Sequence, residues 1–376
     1  MKWRMRFRRR PNVRRVSVER PRIGIVSEEE ALKLVGGQRK VAEPKQTYDP
    51  PRPVIYGDPE VWSVLENRLP DFLPATRVVD LPGCKVAGRF GWVIVDDRLV
   101  LSLSWFESVP RRPKMNTITW SSEVHLDGTL LNLSTVSGAT NYGHFLLDGL
   151  GRLAVAEQTG VKLRNVDWVL VPGFRSATAD ALQDRLGIPD RKIVRPEAYV
   201  AVKADRVLTP SLPGTSRTYR PVVADFLRRA VSPPKGPTGT KLFVTRRGER
   251  RAIRNREAVE ALAVTHGFQV VDPVDVDLPR EMARASVVAG PHGAALADLV
   301  FCRPGTRVIE LIPSDHMYGY WYSLSVAAGL DYRAVIAESA TTRPPEQWGP
   351  SSSEVVVPID LLDEALSSAR VERLAR

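Results

Sequence analysis

Four polar residues in the first half of the chain, Asn141, His144, Asp148 and Arg152, recur at intervals of 3, 4 and 4. On a helix these intervals bring side chains onto one face. Phe145, Leu146, Leu150 and Leu153 fall on the other side, so a helix over 142–158 would be amphipathic. A plain solvated face would favour Lys and Glu. An imidazole with a carboxylate one turn away is a general base with the group that orients it. The same residues would equally serve as a structural hydrogen-bond network in which Asn141 caps the helix.

A second set lies in the other half. Arg246-Arg247 follows a strand-like run, Gly290-Pro291-His292-Gly293 follows another, and Glu310 lies within a third. In open α/β sheets, ligands bind at the carboxyl ends of strands. A glycine turn lets backbone N–H groups approach a ligand, and the helix beginning near Gly293-Ala294 presents its positive end to an anion. Guanidinium groups suit phosphate oxygens. A carboxylate such as Glu310 would accept from ribose hydroxyls. Together these describe a nucleoside-diphosphate site; singly, each reads equally as a solvated loop, a tight turn or a salt-bridged acid. Asp275-Val276-Asp277 has a metal-binding D-x-D form, but Asp277 followed by Leu278-Pro279 reads better as the cap of a helix with proline in its first turn.

The elements that would position these groups follow from patterning. Short β-type runs at 77–81, 91–95 and 99–103, broken by Gly91 and Asp96-Asp97-Arg98, predict a small antiparallel platform. After Asn141 strands and helices alternate, the mark of parallel α/β layers. The Pro/Gly-rich stretch 231–240 reads as a linker, and beyond it the rhythm restarts as a compact Rossmann-like half. The predicted organisation is a basic, Pro-rich arm over 1–60 with an extended lead-in at 21–60, a domain over 61–232, a second over 241–337, and a tail with a final helix over 338–376.

The 376 residues suit two domains, and 43% hydrophobic content excludes general disorder. No uncharged apolar run approaches the roughly 18–20 residues that span a bilayer. Residues 1–20 lack the apolar core of a secretory signal. Two cysteines, Cys84 and Cys302, exclude a disulfide scaffold, fit a reducing compartment and form no C-x-x-C metal site. The net charge of +11 is uneven: nine basic residues against Glu19 give the first twenty residues +8. Such an arm is either a solvated tail or one that adheres to anionic lipid, with Trp3 and Phe7 as shallow anchors. Nothing downstream resembles a nucleic-acid recognition module.

Asn141-Tyr142-Gly143-His144-Phe145-Leu146-Leu147-Asp148, followed by Arg152, resembles the N-Y-x-H-W-L-x-D-x-x-P-R signature of glycosyltransferase family 61. Thr245-Arg246-Arg247, the segment from Gly267-Phe268 to Asp272-Pro273, Gly290-Pro291-His292-Gly293-Ala294-Ala295-Leu296, and Arg303-Pro304-Gly305 with Val308-Ile309-Glu310-Leu311 resemble further elements of that family, in order, over roughly 80–335. Gly151 stands where the family has proline and Phe145 where it has tryptophan, which suggests a divergent acceptor side.

The resemblance implies a GT-B fold, with two Rossmann-like domains facing a cleft. It implies inverting, metal-independent transfer from a nucleoside-diphosphate sugar, a UDP-sugar first among these, to a glycan or lipid-linked acceptor, with no cofactor. Family members include plant xylosyltransferases, N-acetylglucosaminyltransferases and bacterial capsule enzymes. His144 or Asp148 would be the base. Asn141, Arg152, Arg246, Arg247, Gly290, His292, Gly293, Ala294 and Glu310 would hold substrates. A basic arm without an anchor fits a bacterial cytoplasmic enzyme, peripheral at the inner face of the membrane. Two other readings remain open: a nucleotide-sugar hydrolase or epimerase, and a non-catalytic nucleotide or glycan binder.

Overall fold

A computed structural model of the chain describes residues 16–17, 23–104, 118–195, 197–215, 218–232, 235–248, 251–340 and 353–368. The basic start of the arm and most of the tail beyond 340, including residues 369–376, lie outside the described residues. By contacts the chain divides into unit 1, Met1–Thr47 with Phe72–Ser216, and unit 2, Tyr48–Asp71 with Arg217–Arg376. The division falls ahead of the 231–240 linker.

The described part of 21–60 is folded rather than extended. It supplies strand β1 (Gly24–Val26), helix α1 (Glu28–Val35) and strand β2 (Gln38–Glu43) to unit 1, and strand β3 (Val54–Tyr56) to unit 2. The signals for α1 are local. Ser27 Oγ accepts the Glu30 N–H at 3.1 Å, acidic residues fill the first turn, and Gly36 ends the helix at φ 63°. The density of prolines around it masked these caps.

Unit 1 holds the predicted platform: β4 (Thr76–Pro82), β5 (Lys85–Ala87), β6 (Trp92–Val95) and β7 (Arg98–Val100). β6 and β7 form a hairpin whose two turn residues, Asp96 and Asp97, sit at φ 48° and 52°, as a twisted two-residue connection requires. The run at 99–103 does not stay extended; after Val100 the chain coils into a short helix, Leu101–Ser104. Next come β8 (Ser122–Asn132), helix α2 (Arg152–Gln158), β9 (Trp168–Leu170), helix α3 (Ala177–Arg185), β10 (Ile193–Val194) and β11 (Val200–Pro210). The sheet runs β10-β9-β8-β11-β5-β6-β7-β1, and β10, β9, β8 and β11 are mutually parallel. Their order is that of a mononucleotide-binding half, with the reversal between β8 and β11. Val79, Leu81, Val93, Leu126, Leu130, Leu170 and Val207 fill the core.

Unit 2 is built on β12 (Thr240–Val244), β13 (Gln269–Val271), β14 (Ala285–Pro291), β15 (Arg307–Pro313) and β16 (Asp331–Ser339). They are parallel in the order β13-β12-β14-β15-β16, and β3 adds in parallel on β16. Helices α4 (Arg256–Thr265), α5 (Leu278–Arg284), α6 (Tyr320–Ala328) and α7 (Ile359–Ser367) accompany them. Phe243, Val259, Phe268, Val287, Ile309, Leu311, Val335 and Leu362 form the core. Strand order reverses between β12 and β14, the position where a doubly wound sheet opens a crevice at its carboxyl edge. The mixed α/β class predicted from the alternation is present in both units.

The helix expected over 142–158 is interrupted. His144–Leu150 is π-helical, and α2 follows after Gly151. The Gly151 N–H closes the wide turn by donating to the Leu146 carbonyl, five residues back, at 3.0 Å. Proline, which stands at this position in the signature the segment resembles, has no such proton. Gly149 also has a packing reason, since a Cβ there would lie 2.4 Å from Pro172 Cγ. Gly149→Ala is expected to lower stability by about 1–3 kcal/mol, read as a fall in the unfolding midpoint.

Candidate functional site

In unit 1 the wide turn sets the geometry of the polar stripe. Asn141 is exposed at the helix start, and its Oδ1 accepts the His144 N–H at 3.2 Å, the capping role left open by its sequence position. Asp148 is 1% exposed, and its Oδ2 lies 2.5 Å from Nδ1 of His144, whose side chain is 25% exposed. Burial, which favours the neutral imidazole, is outweighed here by the hydrogen bond and charge of Asp148, so the His144 pKa is raised. The pair has the arrangement of a base and its orienter, with Nδ1 committed to the carboxylate.

Arg152 does not join that outward face. The extra residue in the turn rotates it inward, where it is 1% exposed and donates to the carbonyls of Ser134 at 2.8 Å and Leu103 at 3.2 Å. Burial lowers its pKa to about 10, with Asp148 opposing the fall. Its geometry is that of an anchor for the π turn and a counter-charge for Asp148, rather than that of a substrate ligand.

In unit 2 the reversal point between β12 and β14 gathers most of the other predicted residues. Arg246 leaves the end of β12 and donates to the His292 carbonyl at 3.0 Å. A Cβ on Gly293 would come within 2.5 Å of its guanidinium, so the missing side chain leaves room for the arginine. Gly290 is needed for a different reason: a Cβ there would lie 2.8 Å from the Val244 carbonyl oxygen on the neighbouring strand. Ala294 opens the expected helix, Ala294–Phe301, which takes the tighter 3-10 form. Arg247 stands apart, 64% exposed, with its Nε 3.4 Å from Asp272.

Glu310 is placed differently from the ribose-binding reading. It is 0% exposed; Oε1 lies 2.5 Å from His292 Nδ1, and Oε2 accepts the Tyr332 hydroxyl at 2.5 Å. Both carboxylate oxygens are engaged within the protein, so Glu310 is placed as a partner of His292 and Tyr332. The neighbourhood of His292 also holds residues that the sequence reading missed. His316, Tyr320 and Trp321 surround its ring, with centroids 5.0, 6.2 and 6.0 Å away. Tyr318 extends the aromatic group from His316 at 4.7 Å. The available signal was Asp315-His316 and the aromatic run 318–322 directly after a strand, at the edge where ligands bind.

Two arrangements bear on metals. Asp277 occupies the cap position of α5 with Pro279 in the first turn, and its carboxylate faces Arg280 at 3.5 Å instead of capping the backbone. His125, Asp127 and Asp205 bring ligand atoms within 4.8 Å of one another on the surface of unit 1. Local bonds account for that approach: Asp205 takes the Gly128 N–H at 2.6 Å and lies 3.1 Å from His125 Nε2.

The sequence model of the family described as Glycosyltransferase 61 matches residues 142–309, so the resemblance read from the motifs stands. The match begins just before the π turn and ends on β15; it takes in His144, Asp148, Arg152, Arg246, Arg247 and the turn 290–294, and it stops short of Asn141, Glu310 and the aromatic group. Two curated relatives, from Canis lupus familiaris and Bos taurus, carry the name protein O-linked-mannose beta-1,4-N-acetylglucosaminyltransferase 2. Each is 30% identical over 135 residues, which is 31% of this chain and 23% of the relative. The chain therefore spans under a quarter of the length of these relatives.

Proposed function

We propose that this chain, matched over 142–309 to glycosyltransferase family 61, transfers a sugar from a nucleoside-diphosphate donor to a hydroxyl of a glycan or lipid-linked acceptor, with inversion and without a metal ion. The observation that carries the reading is the His144–Asp148 pair at 2.5 Å. A binding protein has no use for an oriented base. The family's GT-B architecture, with one Rossmann-like unit for each substrate, is part of the proposal.

The chemistry divides between the units. His144 takes the proton of the acceptor hydroxyl on Nε2 while Asp148 holds Nδ1. The freed oxygen attacks the anomeric carbon from the face opposite the diphosphate, the carbon–oxygen bond to the diphosphate breaks, and configuration inverts. Charge appears on the leaving diphosphate. Arg246, His292 and the backbone N–H groups from Gly293 onward are the cationic and dipolar groups suited to receive it, the task a metal ion performs elsewhere. A UDP-sugar is the donor we favour. The proposed setting is bacterial surface-polysaccharide synthesis, at the cytoplasmic face of the membrane with the basic arm on anionic lipid. Among the described residues no helix is long and apolar enough to cross a membrane.

The test is a thermal-shift panel of nucleotides and nucleotide sugars, followed by transfer assays with the donors that bind. A cognate donor at 100 times its dissociation constant is expected to add about 2.7 kcal/mol of stability, and EDTA should leave both binding and turnover unchanged. Turnover without any acceptor would favour a hydrolase, and binding without turnover on any acceptor would favour a non-catalytic protein.

A further inference from the structure

Three buried side chains form a chain across adjacent strands, and the proposed mechanism has used only one of them, His292. Tyr332 on β16 is 6% exposed, Glu310 on β15 is 0% exposed, and His292, just past β14, is 5% exposed. The parallel pairing of β14, β15 and β16 holds them in register, with Gly290 beside Glu310 and Val308 beside Tyr332. The His292 N–H continues the ladder by donating to the Leu311 carbonyl at 2.9 Å. A carboxylate buried this completely is costly unless hydrogen-bonded on both oxygens, and here both are engaged at 2.5 Å. Burial, then the charge of Glu310, raises the Tyr332 pKa, so the phenol keeps its proton and donates it.

We infer that Tyr332 and Glu310 are positioning residues that commit the Nδ1–H of His292 to Glu310 and so reserve Nε2 for a phosphate oxygen of the donor. The inference rests on the donor-site reading of unit 2 and deepens it. Among the described residues nothing hydrogen-bonds Nε2, so it is the ring atom left for a ligand. An imidazole with one ring nitrogen already donating to Glu310 offers Nε2 as an acceptor when neutral and as a donor when it carries a second proton. A diphosphate oxygen only accepts, so its binding selects the doubly protonated ring. Affinity for a diphosphate must then weaken as protons become scarce.

Among the described residues, the titratable and charged groups against the ring are Glu310, His316 and Tyr320, with the Arg246 guanidinium on its carbonyl and Tyr332 behind Glu310. Arg246 stays charged across the range used. His316 is a second imidazole against the same ring, so variants are needed to assign the effect.

The experiment measures the dissociation constant of uridine diphosphate by calorimetry between pH 7 and 9, corrected for the probe's own ionisation by a parallel titration of the free nucleotide. The wild-type protein is expected to weaken about tenfold or more across this range, the slope set by one linked proton. Glu310→Gln keeps the shape but removes the carboxylate. It is expected to bind at least tenfold more weakly at pH 7 and with little dependence on pH. His292→Gln, which supplies a donor that does not titrate, should likewise flatten the profile, and it decides the question if the Glu310 variant does not fold. Wild-type binding that is flat with pH, or either variant keeping the wild-type slope, overturns the inference while leaving the donor site intact. No binding of uridine, guanosine, cytidine or thymidine diphosphate by the wild-type protein overturns the donor-site reading, and this inference with it.

Discussion

His144→Ala is expected to lower the rate of sugar transfer by about 10²–10⁴-fold while leaving the dissociation constant for a nucleoside diphosphate unchanged. The split follows from position. His144 stands on the π turn of unit 1, and the groups suited to a diphosphate lie in unit 2. The pH profile carries a second signature. Asp148 raises the His144 pKa against the effect of burial, and a general base works only when neutral. The rate should therefore fall as pH drops through a value above the ordinary imidazole range of about 6.5. In Asp148→Asn the charge that favours the imidazolium is gone, while burial remains. The acid limb of the profile should then move to lower pH, together with a loss of rate from the wrongly held ring. A purely structural role for the pair predicts loss of folded protein with no shift of the limb. Transfer rates between pH 5 and 9, with circular dichroism of each variant, separate the two.

The two clusters were legible because their residues are rare types at regular spacing, and helical or strand-end spacing survives small errors in element boundaries. His144 and Asp148 meet as their four-residue interval requires. Arg152 did not follow, because one glycine N–H, that of Gly151, adds a residue to the turn and rotates everything after it. No periodicity records such an insertion. Glu310 misled for another reason. The sequence places it near the ligand edge of the sheet, but its environment depends on a histidine and a tyrosine supplied by the strands on either side. Tyr332 lies 22 residues away and carries no local sign of the contact. The folded nature of 24–43 was hidden by composition, since Pro and charge density outweighed a single well-capped helix. The strand orders in both units could not be read at all; they are long-range pairings that alternation of elements permits but does not dictate.

The adjacent arginines give the sharpest test of the donor side. They share a loop and a charge, so composition treats them alike. Arg246 is held against the His292 carbonyl at the strand-order reversal, beside the space left by Gly293. Arg247 is 64% exposed and faces Asp272. A guanidinium fixed where charge develops costs no reorganisation during the reaction, whereas an exposed one is screened and mobile. Arg246→Ala is expected to remove about 2–4 kcal/mol of transition-state stabilisation, a fall of about 30- to 900-fold in kcat/KM. Arg247→Ala is expected to change it by less than about fivefold, in keeping with an exposed ion pair worth about 0–1 kcal/mol. Arg246→Lys should recover little, because an ammonium cannot both hold the His292 carbonyl and present a fork to a phosphate. Equal effects of the two alanine variants would mean that the loop acts only through its net charge, and the reversal point would lose its claim to the diphosphate.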